Sequence, residues 1–225
     1  MTVNAPVRPT STEPRRQQGG PDRPTAGRPR PTSRERGSSP HAGERVRPLS
    51  RRQIEDRLPE LGDLYAETAG GSPWAWNQAR VAFLRRLAAD VQRPGFELLI
   101  AETTTLIGCA HGFPVSGDGP WWEGLDGHLS GSLLSLAAAG RLFVVSGILV
   151  PPRVRRQYQN RAWNLARRLQ QRLLTDHGAA VGVTLLNRSD VETFEALRSW
   201  GWRYDTDDTP PTCRPGRFRV LVLGA

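Results

Sequence analysis

The stretch from Leu142 to Val150 constrains this chain more than any other feature, because it runs through a whole strand's length without a charged side chain. An apolar run of that length without alternation suits a strand buried on both faces. The next residues are the opposite in character. Arg153, Arg155, Arg156 and Arg161 come close together, and then Ala162, Leu165, Ala166, Leu169 and Leu173 fall at helical spacing up to Thr175. A second apolar strand, Ala179–Leu186, comes next. A strand, a helix and a strand in that order imply a parallel pair joined by a crossover helix.

The rest of the chain fills in around that unit. Val46-Arg-Pro-Leu49 reads as a short extended piece, and Ser50 as the N-cap of a helix over Arg51–Thr68 with Ile54, Leu58, Leu61, Leu64 and Tyr65 on its face. Pro59 and Gly62 weaken its middle, and Gly70-Gly71 ends it. Ser72-Pro73 opens a second helix to Val91, whose stripe is Trp76, Ala79, Phe83 and Leu87. After Pro94-Gly95 the period changes to that of strands, Phe96–Glu102 and Thr105–Phe113, close enough to form a hairpin. A Gly-rich excursion over 114–140 carries a short helix through Leu133, Leu134 and Leu136. Asp190–Trp200 reads as a helix, and Trp202–Asp205 and Arg217–Leu223 as strands. The expectation is a single α/β domain over 46–225, with a mixed, partly parallel central sheet flanked by helices.

Residues 1–45 differ in kind. They hold almost no large apolar side chain and cannot offset the entropy of ordering their backbone, so a disordered tail rich in Arg, Pro, Gly and Ser is expected. The location of charge matters here. The formal charge is +9 and every basic residue is arginine; residues 1–50 carry +6 of the excess and residues 51–225 only +3. The tail could meet nucleic acid or an acidic partner by nonspecific electrostatics, although a solvated tail without a partner is the preferred reading. No run approaches the roughly 20 apolar residues of a membrane span, and the N-terminus lacks a secretory pattern. Cys109 and Cys213 stand in unlike contexts and make neither a disulfide framework nor a metal site. A reduced, cytoplasmic protein is expected.

Taken together, the order of elements resembles that of the GNAT superfamily of N-acetyltransferases. Three places carry the resemblance, which runs from Val46 to Leu223: Val46-Arg-Pro-Leu-Ser50 before a helix, Leu142–Leu174 as an acyl-CoA motif, and Arg198-Ser-Trp-Gly-Trp202 at the end of the last helix. The central motif has a physical logic of its own. The first turn of a helix offers unpaired N–H groups and the positive end of its dipole to a pyrophosphate. In the family the turn reads Arg/Gln-x-x-Gly-x-Gly/Ala. Gln157, Tyr158, Gln159, Asn160, Arg161 and Ala162 align with it, with Asn160 standing where the family prefers glycine, while Arg155 and Arg156 add charge.

The resemblance implies acetyl-CoA as co-substrate and a small-molecule or peptide amine as acceptor. The pantetheine arm would pair with the backbone of Ile148, Leu149 and Val150, where that strand diverges from Ala179–Leu186. One N–H there would steady the oxyanion. The usual proton carriers are not matched: Gly147 stands where relatives place a Glu, Leu197 where they place a Tyr, and Asp190 where they place an Asn. Glu102 and His111, on the second and third strands, are the candidate substitutes, set against the plainer reading of each as a structural residue. Trp74, Trp76, Trp121 and Trp122 would either wall an acceptor pocket or pack the core, and core packing is the preferred use of most of them. No His, Cys or Asp cluster has metal-ligand spacing. The expected activity is transfer of acetyl to an amine; the alternative is a GNAT-like module without catalysis that binds CoA or a protein partner.

Overall fold

A computed structural model of the chain describes residues 43–69, 72–116, 129–157, 164–205 and 218–225. Its elements run β1 (Arg45–Pro48), α1 (Arg51–Asp56), α2 (Leu58–Ala69), α3 (Pro73–Asp90), β2 (Glu97–Glu102), β3 (Leu106–Val115), α4 (Gly131–Ala138), β4 (Leu142–Leu149), α5 (Pro152–Gln157), α6 (Leu165–Asp176), β5 (Val181–Asn187), α7 (Val191–Ser199), β6 (Arg203–Tyr204) and β7 (Phe218–Gly224). The strands form one sheet in the order β1-β2-β3-β4-β5-β7-β6. Every pairing is antiparallel except that of β4 with β5, which is parallel. The uncharged run is thus the middle strand of a mixed sheet, as its composition required.

Both faces of the sheet are covered. On one, Leu165, Ala166, Leu169 and Leu173 of α6 pack on Leu99, Ala110, Phe143 and Val145, and Trp200, Trp202 and Leu221 extend the same core. On the other, Leu61 and Leu64 of α2 and Phe83 and Leu87 of α3 cover Leu98, Ile100 and Cys109. The same face continues under α4, where Leu133 and Ala137 meet Phe113, Val144 and Val183. Leu169 and Leu173 are fully buried, and burial of such a side chain contributes roughly 1.5–3 kcal/mol.

The expected helix over Arg51–Thr68 is two helices. Arg57 separates α1 from α2. Pro59 is the reason: a proline is tolerated in a helix's first turn, where its missing N–H has no intrahelical partner, and not in its interior. Ser50 caps α1 as expected, in a reciprocal pair with Gln53. Gly62 is a contact rather than a weak point, since a Cβ there would stand 2.7 Å from Arg80 Nε on α3.

Two further expectations are corrected. Helical spacing puts Trp76 on the buried stripe of α3, and residue type assigns Trp74 to packing; in the structure they are 43% and 74% exposed. The segment after β4 is not a turn leading directly into one long helix. It begins with the short helix α5, and α6 starts only at Leu165, capped by Asn164, whose Oδ1 accepts from the Arg167 N–H. No helix among the described residues is long and apolar enough to cross a membrane.

Candidate active site at the parting of β4 and β5

The site begins with one extra residue. His111 of β3 pairs with Gly147 of β4, but the next residue, Gly112, pairs with Val145, so Ser146 is a bulge. A bulge breaks the two-residue alternation of a strand and bends it. Before the bulge, Leu142 and Val144 face α4 and Phe143 and Val145 face α6. After it, Gly147 and Leu149 face the α2–α3 side, where Gly147 meets His111. The bend also takes β4 away from β5. The two strands pair only at Leu142, Phe143 and Val144, opposite Val181, Gly182 and Val183. β5 meanwhile stays paired to β7 along its whole length, to Asn187.

One cleft opens at this gap, and a second lies past the end of β4 among α5, α6 and α7. On the α3 face, about 210 Å³ is lined by Asp90, Arg93, Phe113, Val144, Ser146 and Thr184, among others. Asp90 ends α3 and its side chain is 14% exposed. Its carboxylate lies 3.0 Å from Arg93 Nε, and the Arg93 guanidinium sits 4.3 Å from the Phe113 ring centroid. Burial pushes the Asp90 carboxyl above its ordinary range; Arg93, a hydrogen bond from the Ser146 hydroxyl and the charge of Arg86 oppose this without cancelling it.

On the α6 face, about 570 Å³ lies between Val150, Val154, Arg155, the start of α6 and one side of α7. Arg155 Nε donates to the Val150 carbonyl at 2.7 Å, and its guanidinium lies 5.4 Å from the Trp200 ring centroid. Burial lowers its pKa, and Glu192 opposes that shift. Glu192 and Glu195 of α7 give this cleft an acidic wall. The far end is fixed by a buried network: Trp200 O accepts from Gln170 Nε2 at 2.9 Å and Arg167 Nε at 3.0 Å, and Trp202 Nε1 donates to Gln170 Oε1 at 2.9 Å. Gly201, between those tryptophans, has a φ of +104° and admits the Arg167 guanidinium where a Cβ would block it.

The candidate residues from sequence fall in several places. Ile148 and Leu149 lie on β4 past its last pair with β5, with their β3 partners on the other side. Val150 lines the α6-face cleft, but its carbonyl is already taken by Arg155. Arg153 turns to Glu67 of α2. Arg156 and Gln157 are the last residues of α5, and their side chains lie outside what the structure describes. Tyr158, Gln159, Asn160, Arg161 and Ala162 also lie outside the described residues, as do Trp121 and Trp122.

Glu102 and His111 do not come together. Leu98, not Glu102, is the β2 partner of His111. Glu102 accepts from Arg47 Nε at 2.8 Å and from Arg57 at 2.7 Å, contacts that hold its carboxyl below the ordinary range, and it lines neither cleft. His111 is 3% exposed, between Phe83 and Phe96, and its Nδ1 has no hydrogen-bond partner among the described residues. Burial first, and the charge of Arg86 second, lower its pKa to about 4, so it is neutral near neutral pH.

No family model and no curated protein sequence matches the chain. Among solved structures, PH1933 from Pyrococcus horikoshii is similar over 81% of this chain and 98% of its own, at 12% identity and a TM-score of 0.52. A putative acetyltransferase of the GNAT family from Desulfovibrio desulfuricans matches over 80% and 98%, at 12% identity and 0.49. The PaiA N-acetyltransferase from Thermoplasma acidophilum, solved with coenzyme A, matches over 81% and 99%, at 12% identity and 0.48. A mixed sheet whose one parallel pair diverges is the topology the sequence resemblance implied; the bulge at which it diverges was not implied. The fold is GNAT-like. At such identities the likeness concerns fold alone.

Within this GNAT-like domain, sequence reasoning missed Asp90. A signal was present: a carboxylate at the last residue of a helix faces the negative end of the helix dipole, where acids are disfavoured. Asp190, by contrast, is a helix cap, accepting from the Thr193 N–H at 3.0 Å.

Proposed function

We propose that the chain from β1 onward, which takes in Arg45 as well as residues 46–225, forms an N-acetyltransferase domain that moves an acetyl group from acetyl-CoA to an amine in the cytoplasm. The observation that carries the proposal is the release of β4 from β5 after Val144, with one cleft at the gap and a second just past the end of β4. Two reactants can meet through such a gap, one entering from each face. The α6-face cleft fits the arm of an acyl-CoA, with apolar walls from Val150, which follows β4, and from Val154, Leu165 and Ala196. Ile148, Leu149 and Val150 would hold that arm, and Arg156 with the segment from Gln157 to Ala162 would meet the diphosphate. The α3-face cleft, with Asp90 and Arg93, would receive the amine. Holding both partners at the gap converts an encounter into a positioned reaction, which is where much of such catalysis arises.

A second reading, a non-catalytic module that binds CoA or a protein, is favoured by two observations. Leu197, where relatives carry a proton donor, is buried at 6% exposure in the core, and Glu192 and Glu195 line the cleft assigned to an anionic ligand. Calorimetric titration of the full chain with acetyl-CoA, followed by thiol release with a panel of amines, separates the readings. Binding with amine-dependent thiol release is expected. Binding without release would leave the module, and no binding would end the enzyme reading and leave a module whose partner is a protein.

A further inference from the structure

Of the described residues lining the α3-face cleft, Asp90 is the one carboxylate. Its position is defined by three contacts. It closes α3, it lies 3.0 Å from Arg93 Nε, and it takes a hydrogen bond from Ser146, the residue whose insertion frees β4 from β5. The carboxylate is therefore tied to the point where the strands part. A carboxylate that is largely buried and set at the negative end of an 18-residue helix is costly to keep ionised. Among the described residues, the other candidate acids and bases do not compete for the place. Glu102 is held by two arginines away from both clefts, His111 is sealed beneath Gly147, and Glu192 and Glu195 belong to the cleft on the opposite face.

We propose that Asp90 is the proton acceptor of the acyl transfer, a role that rests on the N-acetyltransferase reading above. The amine nitrogen forms a bond to the thioester carbonyl carbon, and the carbon–sulfur bond breaks with its electron pair going to sulfur. Asp90 takes the proton that the nitrogen loses and passes it to water, and the departing sulfur takes a proton from water to leave as the thiol. Arg93 holds the carboxylate in orientation, and the Ser146 hydroxyl favours its ionised form. Among the described residues, the charged groups acting on Asp90 are Arg93 and, one helical turn back on α3, Arg86, and β4 contributes the Ser146 hydroxyl.

The test uses the full chain, acetyl-CoA and a weakly basic amine that stays neutral across the pH range, so that any acidic limb belongs to the enzyme. Asp90→Asn is expected to lower kcat by about 100-fold or more, in the usual range for a lost general base, with the acetyl-CoA Kd unchanged. Ser146→Ala is expected to shift the acidic limb to higher pH, because the carboxylate loses a hydrogen bond that favours ionisation. Asp90→Asn with near wild-type kcat and the same pH profile would overturn the role of Asp90 and leave the N-acetyltransferase reading standing. Wild-type protein that neither binds acetyl-CoA nor releases thiol would end that reading and the proposal with it. If near-UV circular dichroism shows that Asp90→Asn does not fold, an unmoved limb in Ser146→Ala would overturn the proposal by itself.

Discussion

His111 lies directly under Gly147 of the neighbouring strand, its Nε2 2.5 Å from where a Cβ on Gly147 would stand. The two positions are therefore coupled: the imidazole fills the space that a side chain on β4 would need. A carboxylate at 147 is therefore opposed on steric grounds. Gly147→Ala is expected to cost about 1–3 kcal/mol, the usual penalty of overpacking a core. The double variant with His111→Ala is expected to be more stable than the sum of the singles by about 1 kcal/mol. Urea unfolding of the four proteins measures this coupling, and strict additivity would contradict it.

The same histidine makes stability depend on pH. Its folded pKa of about 4 lies below the ordinary 6.5, so above that ordinary value neither state is protonated and the residue adds no pH dependence. As pH falls below it, the unfolded chain takes up a proton that the folded one refuses. Stability is then expected to drop by up to about 1.4 kcal/mol per pH unit, levelling off near the folded pKa. His111→Phe is expected to flatten that part of the profile. Denaturant unfolding at intervals from neutral to mildly acidic pH reads the difference directly.

Gln170 is 2% exposed and serves both tryptophans at the end of α7. Gln170→Leu keeps the volume roughly constant and strands the Trp202 indole N–H in the core. A buried donor left without a partner costs about 1–3 kcal/mol. Loss of stability in that range is expected, with Trp fluorescence reporting the altered surroundings of Trp200 and Trp202. A neutral outcome would mean that water or another acceptor reaches the indole.

The acidic wall on α7 opposes an anionic ligand. Removing it with Glu192→Gln and Glu195→Gln is expected to tighten acetyl-CoA binding several-fold at low salt, and less at high salt as screening sets in. Calorimetry at two ionic strengths checks both. Equal affinity in variant and wild type at low salt would place the diphosphate away from α7.

How far these features could be read beforehand depends on the range of the interaction behind each. The parallel pair and its crossover helix were legible, because an uncharged run followed by a helical stripe and another apolar run admits few topologies. The split at Arg57 was not, since the hydrophobic spacing passes through it; only Pro59 marks the position. Trp74 and Trp76 read as core by type, yet exposure is decided by what packs against a helix face, and nothing local to α3 encodes that. Glu102 looked available because its partners Arg47 and Arg57 lie 55 and 45 residues away in the chain. The bulge was the deepest concealment. Ser146 and Gly147 sit inside an ordinary-looking strand, and any inference that counts alternate residues past them assigns the wrong face.

The brief pairing of β4 with β5 also bears on how the domain would yield under load. β1–β4 and β5–β7–β6 are two half-sheets fastened along one short seam, Leu142–Val144 against Val181–Val183, with α6 as a splint whose Leu169 and Leu174 reach under both. Force that separates the halves concentrates on that seam. The opening that would admit two reactants is thus also a line along which few strand pairs join the halves, and a ligand spanning it would act as a mechanical clamp.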